Sequence, residues 1–280
     1  MQRNLQLQRT RALQLEQAHS PEVGSWVREH IEYRSVVTPG QSTFTVTAAG
    51  RNPEAFRRLR EERRKLTGIF DATQQRNFGR FSRWLPEIVP EAATQNIYVF
   101  PAGFERVEVL MLRRWTVPQA LLFFQNMLDF LTGLFFGNVI HGHLRPHTVW
   151  VHPETFAIKI LDWSYALTPG NDRNEATKFS HLPEYVPEIW FPPEFHAGRT
   201  ATAYLDQFAA ITLLQLLNGP RDLETFFPAH IHNLFHLQLV GMDSARTNFT
   251  LFATKYRAYM LDILTDPVPP LSDEDEQDVT

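Results

Sequence analysis

The segment Ser42 to Ala49 alternates apolar and polar positions and is rich in Thr, Val and Phe, a period of two that predicts a strand. Asn52-Pro53-Glu54 then supplies a helix cap with proline at the first helical position, and a charged helix is expected over Glu54 to Leu66. Ile97 to Phe100 and Val107 to Leu112 are further strand candidates, separated by Pro101-Ala102-Gly103, which suits a hairpin turn. The first 112 residues therefore read as a small α+β unit.

Downstream the pattern changes. Val117 to Gly137 is apolar almost throughout and predicts a buried helix, leading into a hairpin of Thr148 to Val151 and Ala157 to Leu161 around His152-Pro153-Glu154. From Leu167 to Arg199 prolines recur at 169, 183, 187, 192 and 193, too many for regular elements. A long ordered loop is expected there, and such loops usually carry function. Asp206 to Leu217 is again a buried helix. Met1 to His19 is rich in Gln, Arg and Leu, but Leu5, Leu7, Leu13 and Leu15 define no clean face, which suits a helical arm or a frayed end. Ser272 to Thr280 carries five acidic side chains and almost nothing apolar, so a disordered tail is expected. No internal repeat is apparent.

With 43% hydrophobic residues in 280, the chain can bury one large core or two small ones. Its formal charge of -4 provides no field to draw in nucleic acid or an anionic membrane, so neither is expected as a partner. The absence of cysteine excludes disulfides, thiolate metal sites and a cysteine nucleophile, and fits a reducing, cytoplasmic setting. Val117 to Ile140 is long enough to cross a bilayer, but Gln119, Gln125, Asn126 and Asp129 within it favour a buried helix. No apolar run follows the first Arg residues, so no secretory signal is expected.

The segment Ile140-His141-Gly142-His143-Leu144-Arg145-Pro146-His147-Thr148-Val149-Trp150-Val151 resembles the catalytic loop of protein kinases, where His-Arg-Asp-Leu precedes Lys-Pro-x-Asn and an apolar strand. Eleven residues after Val151, Asp162-Trp163-Ser164 follows Ile158-Lys159-Ile160-Leu161 and is similar to the strand and Asp-Phe-Gly motif of that family. Phe191-Pro192-Pro193-Glu194 resembles the Ala-Pro-Glu end of an activation segment, and Asp206 the family's buried helix-capping Asp. The order and spacing carry the specificity, over about residues 40 to 265.

The resemblance implies an α+β, two-lobed protein-kinase-like fold with a reduced N-terminal lobe and a mainly helical C-terminal lobe. It would comprise an arm or extension at 1–35, an N-lobe-like unit at 36–112, a helical C-lobe at 113–268 and an acidic tail at 269–280. It also implies ATP and magnesium as cofactors, and most groups that would hold them are replaced. His143 stands at the position of the catalytic Asp and Thr148 at that of the metal-binding Asn. Arg145 stands where Lys is usual. Asp162 is retained as the magnesium carboxylate, but Trp163 replaces Phe and Ser164 replaces the glycine that lets the segment flip, so one fixed conformation is expected. Val37 to Thr47 contains only Gly40 where a glycine-rich phosphate lid belongs. Thr47 falls at the phosphate-pairing Lys, a slip of one residue restores no cation, and Arg51 is the nearest alternative. Glu62 falls at the helix Glu that partners that Lys, though a run as charged as Arg57 to Lys65 favours a solvated face.

These replacements imply a pseudokinase, a regulatory or scaffolding protein-binding module that transfers no phosphate, with or without bound ATP and magnesium, in which Asp162→Asn costs little folding. The alternative is an active atypical kinase or nucleotidyl transferase using ATP and magnesium through Asp162, with His143 or another group at the hydroxyl. A structure favours that alternative if a Lys or Arg nitrogen faces Asp162 across an open cleft, and disfavours it if the cleft is filled. His141, His143, His147 and His152 also invite a zinc reading, but nothing in the sequence makes them converge. No Gly-x-Ser-x-Gly elbow occurs to support a hydrolase. The stretch His181 to Phe191 is a candidate partner surface, with a packed activation segment as its plainer reading; the acidic tail serves a basic partner or solubility.

Overall fold

The computed structural model describes residues 25–28, 30–37, 42–75, 81–92, 95–110, 115–137, 139–167, 177–178, 200–201, 204–218 and 254–258. The arm at 1–19, the stretch at 181–191, the Phe191-Pro192-Pro193-Glu194 match and the acidic tail lie outside them. The chain is mixed α and β, with a sheet in its amino-terminal part and helices in its carboxy-terminal part.

The sheet contains β1 (Ser25–Arg28), β2 (Ile31–Val37), β3 (Thr43–Gly50), β4 (Glu87–Ala92) and β5 (Gln95–Pro101), all antiparallel and in the order β1-β2-β3-β5-β4. It begins at Ser25, so the sheet unit takes in residues the sequence reading assigned to an extension ending at 35. In β3, Phe44, Val46 and Ala48 are buried while Thr45, Thr47 and Ala49 on the other face are only half-buried. The expected helix is α1 (Pro53–Gln75), longer than its apolar pattern required. Asn52 caps it, its Oδ1 accepting the Ala55 N–H at 2.8 Å.

The hairpin expected around Pro101-Ala102-Gly103 does not form. β5 runs into a turn at Gly103, where φ is 89° and an added Cβ would lie 2.7 Å from His152 Nε2. The chain beyond it forms the two-residue β6 (Glu105–Arg106), which pairs with Trp150 and Val151 and not with β5, and then the short helix α2 (Val107–Leu110). A four-residue stretch fits a strand or one helical turn equally well, and here burial of Val107 and Leu110 in the core of the carboxy-terminal part favours the turn.

The second part is organised around α3 (Val117–Gly137), α4 (Tyr204–Asn218) and the hairpin of β7 (Val149–Val151) and β8 (Ile158–Ile160). One core gathers Phe123, Phe124, Met127, Leu128 and Phe130 of α3 with Leu205, Phe208 and Ile211 of α4 and Trp163. A second core lies between the sheet and α1 and takes in Trp150 and Leu161, so the two parts share a boundary. Residues Pro118–Gly137 are long and apolar enough to cross a membrane, but half of that window is buried inside the fold. Thr177–Lys178 and Thr200–Ala201 pair as a small antiparallel ribbon.

Replacing the cap, Asn52→Ala, leaves a first-turn N–H without its acceptor. The expected loss is about 1 kcal/mol in urea unfolding, and an unchanged midpoint would show that the cap contributes nothing.

Candidate functional site

The charged helix α1 has an inward face made by Ala55, Leu59 and Leu66, and the helical period puts Arg58 and Glu62 on it as well. Both are buried, with Arg58 5% and Glu62 2% exposed, so the expectation of a solvated face for Glu62 is overturned. Each reaches a different side of the turn that carries Asp162.

Asp162, two residues past β8, holds a left-handed backbone conformation, φ 58° and ψ 63°, which Asp tolerates better than most residues. Its Oδ2 lies 2.6 Å from Arg58 Nη2 and 2.8 Å from His143 Nδ1, and its Oδ1 accepts the Ser164 hydroxyl at 2.5 Å. Burial alone would push this carboxyl up, but the charges of Arg58 and His143, with the hydrogen bonds of His143 and Ser164, hold it well below the ordinary range. Lys65, one turn along α1 from Glu62, donates to the Ser164 carbonyl. Ser164 therefore ties the turn shut where glycine would leave it free.

Glu62 is held differently. Its Oε2 accepts from the Tyr98 hydroxyl and, at 3.2 Å, from Asn96 Nδ2, while its Oε1 accepts the Trp163 N–H at 3.1 Å. All three donors are neutral. Burial, and then the charge of Asp162, push the Glu62 carboxyl up to about 7 from 4.5.

The segment 141–148 is braced from two sides. Asp206 in the first turn of α4 accepts the backbone N–H groups of His141 at 2.6 Å and Gly142 at 2.8 Å. The His141 ring lies between two backbone groups, Nε2 at 3.1 Å from the Leu161 carbonyl and Nδ1 accepting the His143 N–H at 3.2 Å. That pattern suits the neutral ring with its proton on Nε2, and burial, followed by the charge of His143, pushes its pKa down to about 3. Its edge packs on Trp163 with centroids 4.6 Å apart. Asp206 is pushed up to about 6 by burial.

The structure thus brings His143, Asp162 and Glu62 together. Thr148 is near in sequence, but its hydroxyl accepts from Arg145 N and lies 3.1 Å from both the His143 and Arg145 carbonyls, which share its one proton, so it staples its own loop. Thr47 is not part of the site. It lies on the face of β3 opposite to Ala48, and Ala48 is the residue set against Asn96 and packed in the core with α1. A shift of one residue, to Ala48, supplies no cation either. Arg51 pairs with Glu32 at 2.8 Å on the exposed side. Arg145 is buried, with Nη1 on the Leu144 carbonyl.

Two groups of residues escaped the sequence reading. Arg58 was hidden in a run of charges, although its place on the Ala55–Leu59–Leu66 face was a usable signal. The other is aromatic. Trp150 packs against Phe100, Phe44 and Trp26 with centroids 4.7, 5.7 and 6.2 Å apart, and Phe44 stacks on Phe100 at 5.2 Å. These rings fill the boundary between the inner face of the sheet and the β7–β8 hairpin. Among the described residues no group of three or more His, Asp or Glu side chains converges as a metal site. No protein-family model matches this chain, and no curated protein matches it.

The expectation that Asp162→Asn costs little folding is corrected by the ion pair, because an amide leaves Arg58 buried and uncompensated. The expected loss is about 3–5 kcal/mol, read by chemical denaturation. Arg58→Met combined with Asp162→Asn should recover part of it, and additive losses would deny the coupling.

Glu62 also sets a pH dependence. The folded state keeps its proton up to about 7 while its ordinary value is 4.5, so its contribution is complete below pH 4.5 and is lost as pH rises through 7. Asp206 acts in the same direction up to about 6, and neutral His141 acts in the opposite one between 3 and 6.5. The stability difference between wild type and Glu62→Gln isolates the first of these. It should change steadily between pH 4.5 and 7, in favour of the Gln variant as pH rises, and a flat difference would place the proton elsewhere.

Proposed function

We propose that this protein is a protein-kinase-like pseudoenzyme, a regulatory or scaffolding module that binds another protein and transfers no phosphate. Support for the kinship is the coincidence of sequence matches with contacts. The residue at the family's structural His reaches the backbone beside the Asp162 turn, and the residue at its helix-capping Asp holds the loop through two backbone N–H groups. A sheet with one helix packed on it, followed by a helical part, fits the two-lobed arrangement. The absence of charge and cysteine features pointing elsewhere fits a cytoplasmic role.

The observation that carries the loss of activity is the state of Asp162. Phosphoryl transfer needs a carboxylate free to hold magnesium against nucleotide phosphates. Here both of its oxygens are engaged by Arg58, His143 and Ser164 inside the fold. The aromatic rings around Trp150 occupy the boundary where a base would have to lie. Glu62, whose family role is to pair with Lys, rests instead on a phenol, an amide and a backbone N–H.

One observation favours the enzyme alternative: Arg58 is a cation directly opposite Asp162, where an atypical phosphotransferase would want one. Its guanidinium is nonetheless bonded to that carboxylate at 2.6 Å, and ATP with magnesium would have to part the two. Thermal unfolding with and without millimolar ATP and magnesium decides between them, since a ligand of the folded state alone raises the midpoint by mass action. The expected result is no shift and no labelled phosphate on the protein or a generic substrate. A shift with turnover, both diminished in Arg58→Lys, would establish the atypical enzyme.

A further inference from the structure

The sheet buries only one of its faces. Phe44, Val46 and Ala48 of β3, with Tyr98 and Phe100 of β5, join α1 and the aromatic cluster on the inner side. The alternate positions, Thr45 and Thr47 of β3 and Ile97 and Val99 of β5, point outward, and none of them belongs to either core. The register sets them side by side. Val36, Thr45, Val99 and Glu87 lie in one row across four strands, and Arg34, Thr47, Ile97 and Val89 in the next. Val36 and Val89 at the flanks are 45% and 41% exposed.

An antiparallel face left to water normally carries polar side chains at such positions. Here the outward positions of the two central strands, β3 and β5, include no charged side chain. The charges stand at the flanks and differ in sign. On β2, the Arg34 side chain is 70% exposed and comes only to 4.0 Å from Glu32, which is held by Arg51 at 2.8 Å. On β4, Glu87 is exposed. An apolar centre thus has a cation on one side and an anion on the other.

Such a face is complementary to itself. A two-fold axis running along the strands, between β3 and β5, lays β2 of one copy over β4 of the other and β3 over β5. Thr45 and Thr47 then meet Val99 and Ile97 of the second copy, and Arg34 approaches the second copy's Glu87 at each flank. Aligned sheets pack about 10 Å apart, a gap that a guanidinium and a carboxylate on long stems can span. Edge-to-edge growth is hindered on the β4 side, where Pro90 has no N–H to donate and the register shifts between Pro90 and Ala92.

We propose that the outer face of the sheet is the interface of a homodimer, closed by its threonine and aliphatic rows and set in register by Arg34 against Glu87 of the second copy. This interface uses the sheet alone and no residue of the Asp162 site, so it stands or falls separately from the pseudoenzyme reading.

Sedimentation equilibrium of the full chain should show a dimer that dissociates on dilution. Thr47→Lys places a lysine from each copy in the apolar centre and should leave a monomer with unchanged far-UV dichroism. Arg34→Glu sets two carboxylates against each other and should raise the dissociation constant about tenfold. Adding Glu87→Arg reverses both charges and should bring the constant back near the wild-type value. If Thr47→Lys does not fold, the charge reversals decide. A wild-type chain that is monomeric at every concentration would overturn the interface and leave the face to another segment of the chain or to a different protein. A dimer indifferent to a folded Thr47→Lys, or one that the second reversal does not restore, overturns it as well.

Discussion

The buried pair of Arg58 and Asp162 is the constraint on which the rest of this structure turns. Two charges removed from water are tolerated only when each finds its counterpart and further hydrogen bonds. The α1 face must therefore point at the end of β8, and the turn after β8 must hold its carboxylate in place. Asp162 meets this with a left-handed backbone, a serine hydroxyl and an imidazole. Glu62, one helical turn from Arg58, has to live beside that negative charge without a cation, and the neutral donors around it are what such a place requires.

From this follows a division of labour among the histidines and acids. His141 is a neutral wedge, His143 partners the anion, and Asp206 holds the loop from the far side through backbone groups. All three serve cohesion within the fold. The aromatic rings at the boundary carry this further, since they fill it with side chains that pack on one another.

The sequence was legible where local periodicity and motif spacing coincide. β3, the capped start of α1, α3, the β7–β8 hairpin and α4 all follow from alternation, capping and apolar runs, and the order of His141, Asp162 and Asp206 brought them to one place. It was not legible where tertiary packing decides. Val107 to Leu110 carries too few residues for its period to show, and only the core selects a helix. β1, at four residues, is too short for a period to show, whereas the alternation of Ile31, Tyr33 and Ser35 in β2 was a usable signal. Thr47 was misplaced because a one-residue register changes the face of a strand while leaving its pattern intact. Arg58 and Glu62 were obscured because a dense run of charges conceals which of them point inward.

Arg58 and Asp162 stand 104 positions apart in the chain and yet neither can change first without stranding the other. A lineage can leave this arrangement only by altering both together or by passing through a crippled intermediate. Among any relatives, the two positions should therefore covary as a unit, charged together or apolar together. Such a paired signature distinguishes chains built around this internal ion pair from those that keep the acid free for other work.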